Sequence, residues 1–219
     1  MSNNSSTDSE PLAKFCAFFE KVGAKRLAGL DESFIHGMNE AHRAKAWAFL
    51  EKEFSRSSDS ITGLYLLDRV RAVAKFKAEL TSLHPADRHP ALRRMLEGNR
   101  LLMLRYINEV EAEAGYIDAM KAFAESEFEE VRGEFANAVP ITAVTRSAVE
   151  ALKRMIGGEG VGATLTSAIT KLMVIHGTDF DRRDPMYKSV FLALMSADLD
   201  ERIAGIEQLG RHRTPDYVE

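Results

Sequence analysis

Apolar residues recur at helical spacing from one end of this chain to the other, and the strict alternation that marks a half-buried strand does not occur. Leu12, Phe15, Phe19 and Val22 follow one another at intervals of three and four, which puts them on one helical face. Trp47, Leu50 and Phe54 make a second stripe, and Ile61, Leu64, Val70, Val73 and Leu80 a third. Tyr187, Val190, Phe191, Leu194 and Met195 fit one face most closely.

Polar punctuation agrees with these stripes. Asp184 before Pro185 places a capping carboxylate ahead of a first-turn proline, a favoured helix start. Asp198 with Glu201 three residues on reads as a capping box. Gly177, after Ile175 and His176, reads as a helix stop. Pro85 and Pro90 bracket one break, and the run Gly157-Gly158-Glu159-Gly160-Val161-Gly162 makes another. Together the signals predict helices over 11–28, 39–56, 59–82, 87–113, 115–137, 140–157, 162–176, 185–197 and 199–211. The fold class expected is all-α, a bundle or irregular stack of about nine helices.

Composition narrows the picture. With 45% hydrophobic and 28% charged residues over 219 positions, there is enough apolar surface for a core. Residues 1–10 are polar and rich in Ser and Asn, so they read as a disordered tail, with 11–219 as a single α-helical domain. No run approaches the roughly 20 apolar residues of a membrane span, and the start lacks the features of a signal peptide. The single cysteine, Cys16, sits between Phe15 and Ala17 near Phe18 and reads as a small buried residue. No internal disulfide is possible, which fits a reducing, cytoplasmic setting. A net charge of −4 argues against a protein built mainly to hold phosphate backbones.

Five segments share a pattern of a small residue followed by a large apolar one, then Leu or Phe three further on. They are Arg43/Ala46/Trp47/Leu50, Arg69/Ala72/Val73/Phe76, Tyr116/Ala119/Met120/Phe123, Thr145/Ala148/Val149/Leu152 and Arg202/Gly205/Ile206/Leu209. A small side chain lets a neighbouring helix approach while the large one fills the gap. These segments resemble the second helix of HEAT-like repeats, most closely over 200–209, although their spacing is irregular. The resemblance implies a scaffold and carries no catalytic residues.

The densest polar cluster is His176, Asp179, Asp181, Arg182, Arg183 and Asp184. Three carboxylates and an imidazole suit acid–base work or a recognition loop. A calcium loop is excluded because the glycine turn and distal glutamate are missing. His36 and Glu40 have ligand spacing, but Gly37 and Asn39 between them favour a turn. His84, Asp87 and His89 lie in the proline-bracketed link. None belongs to a complete metal motif, and no cofactor is implied. The glycine run lacks the Lys-Ser/Thr of a phosphate loop and follows a helix rather than a strand, so it reads as a hinge. Glu109, Glu111 and Glu113, with Asp118, read as a solvated acidic surface.

The function expected is therefore non-catalytic protein–protein interaction, as in a bacterial adaptor or a toxin-neutralising immunity protein, with another protein as the partner. One alternative is an enzyme with an inter-helix pocket using His176 and the Asp179/Asp181/Asp184 group. The other is a HEAT-like nucleic-acid binder using Arg93/Arg94 and Arg182/Arg183, which requires those pairs to line one concave face and binding to fall steeply with added salt.

Overall fold

The computed structural model describes residues 10–20, 29–54, 57–81, 89–160, 162–178 and 185–219. Helix takes up 78% of them and no strand is present among them, so the chain is all-α. It divides into two compact units, Met1–His84 and Pro85–Glu219, where the sequence suggests one body over 11–219.

The first unit holds α1 (Glu10–Glu20), a 3-10 turn (Glu32–Phe34), α2 (Glu40–Glu53), α3 (Ser58–Leu67) and α4 (Arg69–Leu80). Glu10 opens α1, so it does not belong to the tail expected over 1–10, whose other residues lie outside those described. Phe15, Phe18, Phe19, Phe34 and Phe49 join α1, the turn and α2 through edge-on and tilted ring contacts at 5.0 to 6.2 Å, the geometry that aromatic quadrupoles favour. Cys16 is only half-buried on α1.

One predicted helix, 59–82, is in fact two. Asp68 takes an extended conformation, ends α3 and accepts a hydrogen bond from the Arg71 amide at 3.0 Å to start α4. The break resets the helical phase. Val70, read from sequence as part of the core stripe, is 76% exposed, whereas Ala72, Val73 and Phe76 are buried.

The second unit contains α5 (Pro90–Glu111), α6 (Ala114–Met120), a 3-10 segment (Lys121–Glu125), α7 (Glu129–Ala138), α8 (Arg146–Gly158), α9 (Ala163–Ile175), α10 (Pro185–Leu194) and α11 (Leu199–His212). The described residues thus form eleven α-helices rather than about nine. The second extra helix arises because 115–137 is interrupted. The Ser126 hydroxyl accepts from the Phe128 amide at 3.2 Å and donates to Glu97 at 2.6 Å, so the backbone turns before α7. Likewise α8 begins at the Thr145 cap, not at 140, because residues 139–145 run in extended and turn conformations.

The most apolar helix, α9, buries Leu165, Ala168, Ile169, Leu172 and Met173, with α7 and α8 packed on it. It ends as the sequence suggests: Gly177 has φ +72°, Thr178 N–H donates to Met173 C=O at 3.0 Å and Gly177 N–H to Val174 C=O at 2.9 Å, a Schellman stop. Helices α10 and α11 form a closely packed pair. A Cβ on Gly205 would stand 3.1 Å from the Leu194 side chain, so the missing side chain sets the approach. Among the described residues no helix is long and apolar enough to cross a membrane.

Candidate functional site

The polar side chains of the second unit gather around the link that joins α8 to α9. Buried Arg202 reaches it from α11, with only 6% of its surface exposed. Its Nε donates to Ser196 C=O at 2.5 Å, and its Nη1 donates to Ile156 C=O at 2.7 Å and to Glu159 C=O at 2.8 Å. The last carbonyls of a helix lack intrahelical donors and carry partial negative charge, so a guanidinium there closes α8 and ties it to α11. From the other side, Arg132 on α7 grips the Glu159 carboxylate through Nε and through Nη2, the latter at 3.1 Å. Its Nη1 also donates to Ser126 C=O at 2.9 Å. The hydrogen bonds from Arg132 to Glu159 outweigh burial and hold the guanidinium's pKa above its ordinary value.

Two polar hollows flank this link. One, of about 420 Å³, is lined by Glu125, Ser126, Arg132, Arg154 and Glu159 among others. The other, of about 370 Å³, is lined by Gly157, Gly158, Glu159, Gly160, Ala197, Leu199 and Arg202. A third, of about 540 Å³, lies over the start of α8 and includes Asp118, Lys121, Thr145, Arg146 and Ser147. There the Ser147 hydroxyl donates to Asp118. Burial acts to raise the Asp118 pKa, yet hydrogen bonds with Ser147 and Thr145 hold it below the ordinary value. Asp118 therefore belongs to the anchoring of α8, not to the acidic surface read for it; Glu109, Glu111 and Glu113 are exposed.

His176 is the one member of the predicted His–Asp–Arg cluster that falls within the described residues. Asp179, Asp181, Arg182, Arg183 and Asp184 lie outside them, as do His84 and Asp87. His176 is 2% exposed, and its Nδ1 is 2.6 Å from Arg213 C=O. A carbonyl only accepts, so Nδ1 carries the proton. Burial lowers the ring's pKa, opposed by the Arg213 carbonyl, with Lys153 and His212 adding to the lowering and the Leu209 carbonyl opposing it. The imidazole thus holds the C-terminal segment, which continues to Val218 N–H donating to Val144 C=O at 3.0 Å and to Arg146 over the Tyr217 ring at 4.8 Å.

Comparison with protein-family models, with curated proteins and with solved structures finds no match to this chain.

Three of the remaining sequence candidates, Arg93, Arg94 and His89, have partners. Arg93 pairs with Glu127 and Arg94 with Glu130, the latter at 3.2 Å. His89 caps α5, its Nδ1 accepting from Ala91 N–H at 3.4 Å. His36 and Glu40 do not share a helix: α2 starts at Glu40 with Asn39 as its cap, and Gly37 has φ +80°. Among the described residues no three His, Cys, Asp or Glu side chains come together to hold a metal.

What sequence reading missed is an apolar face. Leu199 and Ile203 are 51% and 45% exposed on α11, and Ile206, half-buried, continues the row at i, i+4, i+7. The buried row of the same helix, Arg202, Gly205 and Leu209, lies beside it. The signal was present, since α11 has more apolar positions than one buried stripe uses.

Proposed function

We propose that the chain is a helical binding protein that docks another protein on the outward face of α11. The observation that carries this reading is the second apolar row, Leu199, Ile203 and Ile206, beside the buried row that already anchors the helix. A row at this spacing fits a partner helix laid alongside it. The occupant is taken to be an amphipathic helix of another protein with basic residues beside its apolar row. Asp200 is exposed next to this row and would meet that charge, while Glu207 beside it pairs with Arg211 at 3.1 Å.

The polar chemistry nearby supports the same conclusion, since Asp198, Arg202, Arg132 and His176 are engaged in capping and tying elements together. The pairing of α8 with α9 and of α10 with α11 also suits the HEAT-like scaffold that the small–large pattern suggests. Nucleic acid is a weaker reading, because Arg93 and Arg94 already face carboxylates.

The test is the double substitution Leu199→Asp with Ile203→Asp. Both side chains are about half exposed, so the helix content should hold, and a thermal melt of the variant checks its fold. Burying two such side chains contributes on the order of 3 kcal/mol, so affinity for the purified partner should drop at least ~100-fold. Unchanged affinity in the double variant would remove the basis of the proposal.

A further inference from the structure

The hollow between the α8–α9 link and the start of α11 holds an unused cationic donor. Arg202 lines it. Three of the guanidinium's hydrogen bonds use Nε and Nη1 and go to carbonyls. Nη2 donates to no described residue, and no carboxylate among the described residues forms an ion pair with this side chain. Glu159, the nearest acidic residue on the link, gives its carboxylate to Arg132. Asp198, at the head of α11, accepts from the Asp200 and Glu201 amides, and all three of these acidic residues are exposed to water.

This guanidinium has no acidic partner among the described residues, and its Nη2 is not sealed from the water of the hollow. It pairs most readily with an oxyanion, whose oxygens match the planar N–H edge. The walls of the hollow allow one to approach. Gly158 and Gly160 carry no side chains, and a Cβ placed on either would meet nothing within 4 Å. A volume of about 370 Å³ accommodates a carboxylate-bearing side chain or a phosphoryl group.

We propose that this hollow is a binding site for a compact oxyanion, a carboxylate or a phosphoryl group, received by Arg202 Nη2 where Gly158 and Gly160 leave room for it. Arg202 would then both fix the α8–α11 junction and report its occupancy. The site adjoins the docking face proposed above through Leu199, which lines both, and small anions test it without a protein partner.

The full-length chain, labelled for NMR, is titrated separately with sodium phosphate and with sodium acetate at ionic strength held constant with sodium chloride. The expected result is saturable movement of the Gly157, Gly158 and Gly160 amides and of the Arg202 Nε–H signal. Saturation by phosphate alone marks a phosphoryl ligand, and saturation by acetate, alone or with phosphate, marks a carboxylate. Gly160→Phe, which adds a bulky ring to a residue that lines the hollow, should weaken binding at least about tenfold, a loss of ~1.4 kcal/mol. Gly158→Phe should repeat the effect and guards against a folding fault in either variant. Shifts that stay linear with both anions, or that persist unchanged in both filled variants, overturn the proposal.

Discussion

Replacing Arg202 by methionine keeps most of the buried stem and removes the guanidinium that joins α8, the glycine link and α11. Three hydrogen bonds disappear, to Ser196, Ile156 and Glu159 carbonyls at 2.5, 2.7 and 2.8 Å. Hydrogen bonds from a charged donor contribute roughly 1.5–3 kcal/mol each. The sum is an upper bound, because Glu159 borders open hollows and its carbonyl can take up water, and because the buried cation's own desolvation is relieved. The expected loss is about 4 kcal/mol. Native-state hydrogen exchange at buried α8 and α9 amides, such as those of Leu152 and Ile169, reads this locally. Protection factors there should fall about a thousandfold, and Arg202→Lys, which supplies a single nitrogen, should fall between the two. A loss below about 1 kcal/mol would show instead that the bonds do no more than offset the cost of burying the charge.

Three further outcomes follow from other buried polar groups. Because the folded-state pKa of His176 is lowered, the unfolded chain binds more protons below about pH 6.5. Stability should therefore be full above that pH and decline as pH falls towards the folded value, with faster exchange of the Val218 amide; His176→Phe should flatten this dependence. Lys171 donates to Asn137 and Val139 carbonyls at 2.9 and 2.6 Å, and its pKa is pushed down to about 8, chiefly by burial and secondarily by Arg105. Between about pH 8 and the ordinary lysine value only the unfolded chain keeps that proton, so stability should rise with pH across this window, and Lys171→Met should abolish the rise in a chemical-denaturation series. Asp118→Asn weakens the contact with Ser147 and should cost about 1 kcal/mol, seen as faster exchange at the start of α8; no change there would mean that the Thr145 cap suffices alone.

Helix ends that depend on local chemistry could be read from the sequence. Gly177 ends α9 because only its own backbone and the preceding turn are involved, and Asp198 caps α11 through the Asp200 and Glu201 amides. The capping box was half right: the Asp198 amide donates to Ser196 Oγ at 3.0 Å. The breaks at Asp68 and Ser126 were missed because apolar spacing continues across them, and a single extended residue changes which positions face inward. Val70 shows the consequence, and Ala119, small in the repeat pattern, is exposed where Ala46, Ala72 and Ala148 are buried. The candidate site was largely illegible. Arg202 and Ile156 are 46 residues apart, and Arg132 and Glu159 are 27 apart, so no local motif announces their meeting. Arg202 was visible only as the first position of a packing pattern, and the outward row of α11 was hidden behind the inward one.

Docking on Leu199, Ile203 and Ile206 of α11 is tested by a photo-crosslinking residue placed at position 203 in the full chain. One protein should crosslink at equal stoichiometry, and its purified form should bind the unmodified chain in calorimetry and lose that binding when Leu199 and Ile203 are changed to aspartate. A crosslinked protein whose calorimetric affinity is the same for the aspartate variant, or the absence of any stoichiometric crosslink at 203, would contradict docking there.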